Sequence, residues 1–92
     1  MVFAFEIEAR LIEHPKVLEA AVVGQSDDYW GETVRAVVVL GSAAEASEAE
    51  LLDHCGARLA RYKLPKSFSF VEALPRNAAG KILKRELRLT GG

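Results

Sequence analysis

The 92-residue sequence contains a single cysteine, Cys55. No internal disulfide can form, so a disulfide-stapled secreted module is excluded and a reducing, cytoplasmic setting is the expectation. Histidine is almost as scarce: His14 and His54 are the only two, and with Cys55 they make no zinc-site spacing. No apolar run approaches the roughly 18 residues that a bilayer crossing needs, so no membrane span is expected. The N-terminus carries no basic cluster followed by an apolar stretch, so no secretory signal is read there. The phosphate-loop pattern G-x-x-x-x-G-K-[ST] is absent, as are internal repeats and low-complexity tracts. What remains is ordinary globular composition, 50% hydrophobic and 27% charged. It suits one small domain over residues 1–92, burying about 60–65% of its unfolded surface.

The net charge of −1 conceals a division. Residues 1–57 hold three basic and eleven acidic side chains, whereas residues 58–92 hold nine basic and two acidic ones. Two readings follow. The C-terminal half faces a polyanion, or the two halves attract each other within one fold. Nucleic acid is not an expected partner, because no aromatic interleaves the basic positions and the whole chain is slightly acidic.

Periodicity predicts the elements. Ile7, Leu11 and His14 share one face of an opening helix, which Pro15 stops. Val17–Val23 reads as a buried strand ended by Gly24. Residues 25–32, with the single Trp30, read as a wide polar turn before a valine-rich strand over Thr33–Leu40. Ser47 and Glu50 form an S-x-x-E capping box ahead of a helix whose apolar stripe is Leu51, Leu52, Cys55 and Leu59. That helix is expected to run to Lys63-Leu64-Pro65. Ser67–Val71 alternates as a third strand. Turn formers fill Leu74 to Gly80, and a last helix is expected from about Lys81 to Leu89. The order α-β-β-α-β-α implies an α+β class: a small mixed three-stranded sheet with flanking helices. The helical crossover allows the last strand to lie parallel to an earlier one. Strand order stays open.

Chemistry concentrates near the C-terminus. Gly80 frees the backbone beside Lys81, and a loop that delivers one ammonium suits charge on a phosphate or a carboxylate. Lysine fits that task as a compact point charge on a long stem. Lys81, Lys84, Arg85 and Arg88 would share one face of the predicted helix. Asn77 is expected to support the turn backbone. Cys55 is expected to be a buried structural thiol, and neither histidine has a visible catalytic partner.

Pro75-Arg76-Asn77-Ala78-Ala79-Gly80-Lys81-Ile82-Leu83-Lys84-Arg85 resembles the C-terminal signature of the adenylate-forming enzymes, which include acyl-CoA synthetases, peptide-synthetase adenylation domains and firefly-type luciferases. Phe5-Glu6-Ile7-Glu8, Val17 to Gly24, Asp27 to Glu32 and Leu59 to Pro65 are similar to other segments of that family, in the same order. The resemblance covers residues 3–89 and looks closest to fatty-acyl-CoA ligases; peptide-synthetase domains more often carry Asp where Lys84 stands. It implies a lid domain that closes over a large N-terminal adenylation domain and rotates for thioester formation. Lys81 is then the implied catalytic adenylation lysine, with Gly80, Lys63 and Lys84 facing nucleotide or CoA. ATP, CoA and a carboxylic (fatty) acid are the implied substrates. Mg2+ is implied to sit on the large domain, with no cofactor tightly held by these 92 residues. The family's hinge and large domain lie outside this sequence, so the chain alone is not expected to catalyse ligation. A freestanding, non-catalytic interaction module is the alternative.

Overall fold

The computed structural model describes residues 4–27, 31–42 and 44–90. The order is α1 (Ala4–Ile12), β1 (Val17–Asp27), β2 (Gly31–Leu40), α2 (Glu48–Gly56), a 3-10 turn (Arg61–Lys63), β3 (Ser67–Phe70) and α3 (Lys84–Thr90). The fold is α+β, as expected. β1 pairs antiparallel with β2, and β2 pairs parallel with β3, so the sheet is mixed with order β1-β2-β3.

The sheet is apolar on both faces. Ala20 and Val22 of β1 and Ala36 and Val38 of β2 pack with Ile7, Leu11, Leu51 and Cys55, under α1 and α2. Their neighbours Ala21, Val23, Val37 and Val39 turn the other way and pack with Leu74 and Leu87. Alternation along a strand sends successive side chains to opposite faces. Two covered faces therefore require the unbroken apolar run seen in β1.

Several boundaries differ from expectation. β1 does not end at Gly24 but continues to Asp27, because Gly24, Gln25, Ser26 and Asp27 stay in register with Val34, Thr33, Glu32 and Gly31. Pairing outweighs weak strand propensity there. The wide turn expected over 25–32 shrinks accordingly, and Trp30 falls outside the described residues. α2 stops at Gly56; Leu59 and Leu64 still reach the core from the irregular segment and 3-10 turn beyond it. α3 begins at Lys84 rather than Lys81. Residues 82 and 83 are diverted: Ile82 bridges Arg76, and the Leu83 N–H bonds the Pro75 carbonyl at 2.8 Å.

Ser47 caps α2 as expected, accepting the Glu50 N–H at 3.0 Å. The Glu50 carboxylate serves elsewhere. It meets His14 Nε2 at 3.0 Å and Lys16 Nζ at 3.2 Å. His14 lies beyond the end of α1 yet is buried, and its Nδ1 accepts the Lys16 N–H. His54 is half-buried: its Nε2 meets the Arg10 carbonyl at 2.7 Å while Arg10 Nε donates to the His54 carbonyl. These reciprocal bonds join α1 to α2.

Both edge strands are partly covered by glutamates. Glu8 accepts the Val22 N–H at 2.7 Å, and Glu48 accepts the Phe68 N–H at 3.0 Å. Open edges invite pairing with other chains, and covering their donors blunts that. The charge division is also spent inside the fold. Lys63 pairs with Glu6, Lys84 with Glu8, and Arg76 with Glu19. Mutual attraction of the halves thus engages Lys63, Arg76 and Lys84 among the C-terminal cations.

Candidate functional site

The site is built on the tight turn between Arg76 and Ile82. Those two residues form an antiparallel bridge. Between them the Asn77 N–H donates to the Lys81 carbonyl at 3.0 Å, and the Gly80 N–H donates to the Asn77 carbonyl at 2.9 Å. The Asn77 side-chain oxygen accepts the N–H groups of Ala79 and Lys81, at 2.9 and 3.0 Å. Asn77 therefore supports the turn backbone, as its type suggests. Gly80 closes the turn with φ at 84°, a conformation that other residues rarely adopt. Arg76 donates to the Gly80 carbonyl at 2.7 Å and pairs with Glu19 on β1.

Lys81 leaves this turn exposed. Among the described residues its ammonium has no ion pair. The other two lysines singled out from sequence are engaged. Lys63 meets Glu6 at 2.8 Å, and that hydrogen bond holds its pKa above the usual lysine value. Lys84 meets Glu8 at 2.7 Å. The predicted four-residue basic stripe is corrected, because Lys81 sits before α3 rather than on it. The structure brings Gly80 and Lys81 together in one turn and ties Lys63 and Lys84 to neighbouring residues of α1.

Sequence reasoning missed Arg76 and Glu19 as supports of this turn. It also missed Arg35, buried in β2, which donates to Ser69 Oγ at 2.9 Å and to the Leu87 carbonyl. A guanidinium within a valine-rich strand and a carboxylate within an apolar strand were the available signals. Arg35 in particular had to have partners nearby, since buried charge without them is costly.

Cys55 is buried, and burial pushes its thiol up to about 11, which makes it inert at neutral pH. Among the described residues no three His, Cys, Asp or Glu side chains cluster as a metal site. No helix among them is long and apolar enough to cross a membrane.

Comparison with known proteins gives concordant matches. The family model for the AMP-binding enzyme C-terminal domain matches residues 6–81. A long-chain-fatty-acid–CoA ligase of Mycobacterium tuberculosis, FadD13, is 51% identical over 87 residues, covering 95% of this chain and 17% of that protein. A 2-succinylbenzoate–CoA ligase of Bacillus cereus is 49% identical over 87 residues, covering 95% and 18%. The crystal structure of apo MatB from Rhodopseudomonas palustris superposes with a TM-score of 0.93 at 43% identity, covering 97% of this chain and 18% of that one. The chain thus spans less than a fifth of the length of these relatives. On the ordered motifs, the shared fold and these matches, the chain belongs to the AMP-binding enzyme C-terminal domain family, the small domains of the adenylate-forming enzymes.

Proposed function

We propose that this chain is the small domain of an ATP-dependent, AMP-forming acyl-CoA ligase acting on a fatty acid, and that Lys81 is its adenylation lysine. The observation that carries the reading is the contrast among lysines. Lys63 and Lys84 are committed to carboxylates, whereas Lys81 stands exposed on a hydrogen-bonded turn without an ion pair among the described residues. An ammonium held this way is available to a carboxylate and to the phosphate it attacks.

In the full reaction a carboxylic acid and ATP give acyl-adenylate and pyrophosphate. CoA thiol then attacks, giving acyl-CoA and AMP. Lys81 acts in the first step, by neutralising charge that develops between carboxylate and phosphate. Preorganised charge of this kind is commonly worth about 3–4 kcal/mol of barrier. The small domain then rotates about a hinge to serve the second step. ATP, CoA and fatty acid are substrates of the whole enzyme, Mg2+ is held by its large domain, and that domain is the principal partner. Gly80 supplies the turn geometry. Lys63 and Lys84 would have to leave Glu6 and Glu8 to contact nucleotide or CoA. Nothing in the fold or the relatives favours a freestanding interaction module.

The test is complementation. The chain is mixed with, or fused to, the large domain of a fatty-acyl-CoA ligase lacking its own small domain, and pyrophosphate and acyl-CoA are followed. Lys81-dependent rescue is expected. Lys81→Ala should slow adenylation strongly and spare thioester formation from supplied acyl-adenylate. Equal loss in both half-reactions would refute the assignment.

A further inference from the structure

The Lys81 turn is fastened to the sheet through one side chain. One terminal nitrogen of Arg76 donates to the Gly80 carbonyl at 2.7 Å, and the other pairs with the Glu19 carboxylate. The Gly80 carbonyl belongs to the peptide unit whose nitrogen is that of Lys81. The guanidinium therefore grips the segment from which the lysine projects. Glu19 is anchored in turn, because its backbone is paired with Val39 within the β1–β2 ladder. A planar guanidinium presents a separate nitrogen to each acceptor in a fixed fork, whereas a lysine would have to serve both from one nitrogen. The Arg76 and Glu19 side chains are 41% and 30% exposed. An ion pair so placed adds little to global stability, so its consequence is local.

We propose that Arg76 and Glu19 are a positioning pair that registers the Lys81 turn on β1. The lysine is thereby delivered from a preset backbone. The geometric claim stands on the contacts above; its catalytic consequence rests on the proposed role of Lys81.

The geometric claim is tested on the 92-residue chain by NMR. In Arg76→Ala and Glu19→Ala, the Gly80 and Lys81 amides should exchange faster, by roughly tenfold, as the turn opens locally. The amide of Val37, buried in the central strand, should be unchanged, a pattern that general destabilisation would not give. Exchange at Gly80 and Lys81 within twofold of the parent, to about that precision, overturns the proposal. The consequence is tested in the fusion described above. Arg76→Ala should slow pyrophosphate release about tenfold, since small misplacements of a catalytic group cost up to about a hundredfold. Thioester formation from supplied acyl-adenylate should be spared, and Arg76→Lys should not restore the rate. Lys81→Ala is run alongside. Loss with Lys81→Ala but not with Arg76→Ala overturns the positioning pair alone. Adenylation unaffected by Lys81→Ala overturns the functional reading, and the exchange data then decide the pair by themselves.

Discussion

A single oxygen of Glu8 accepts the Val22 N–H and the Lys84 ammonium, each at 2.7 Å. One carboxylate thus joins α1, the edge strand β1 and α3. The two contacts differ in worth. The Val22 donor lies on a sheet edge and is lost to pairing otherwise, whereas Lys84 is partly exposed and screened by solvent.

Glu8→Ala is expected to lower the free energy of unfolding by about 1–2 kcal/mol. Lys84→Ala should change it by less than about 1 kcal/mol. Urea denaturation of both variants checks the order. A larger loss for Lys84→Ala would mean that the ion pair, not the edge contact, is the stabilising one.

Gly80 can be tested separately from its neighbours. A Cβ built there meets no atom within 4 Å, so the only obstacle is the backbone angle of 84°. Gly80→Ala should cost about 1 kcal/mol, and Gly80→Asn less, because asparagine tolerates the left-handed region better. Equal costs would mean that the left-handed backbone angle is not what limits this position.

The Glu50 cluster predicts an acid limb. Its carboxyl is held below the ordinary value of 4.5, first by the hydrogen bond from Lys16 and then by the charges of Lys16 and His14. A depressed folded pKa gives stability that is present above the unfolded value and lost as pH falls through the folded one. Glu50→Gln should therefore be less stable than the parent near neutral pH, with the gap closing below 4.5. Thermal midpoints against pH measure this. A gap that persists at low pH would assign the loss to packing.

Cys55 predicts the opposite limb. Burial raises its thiol from 9.0 to about 11. The native chain should react slowly with an aromatic disulfide reagent near neutral pH and label only as urea unfolds it. Because the folded pKa is the higher one, the associated stability is present below 9.0 and is lost as pH rises towards about 11. Rapid labelling of the native chain would contradict the burial.

Local features were legible because their causes are local. The Ser47 cap depends on an oxygen three residues from its donor. The apolar runs of β1 and β2, the stripe of Leu51 and Cys55, and the Gly80-Lys81 turn are each set within a few residues. Less legible were features with two competing local signals. Gly24 signals an end to a strand, but pairing with Val34 carries β1 through it. The run from Lys81 has helical spacing, yet the bond from Leu83 to Pro75 delays α3 to Lys84.

The sequence by itself determined the class, the order of elements, the family motifs and the lysine on which the proposed chemistry turns. Backbone propensity, side-chain periodicity and turn chemistry act over a few residues and are written in their order. Tertiary structure decided which charges meet. Arg76 and Glu19 are 57 residues apart in the chain, and Arg35 and Leu87 are 52 apart. A charge in an apolar strand signals that a partner is needed, but which distant residue supplies it has no local signature. They exist only once packing of the sheet on its helices has brought distant segments together, and the energy of a charge depends on what then lies beside it.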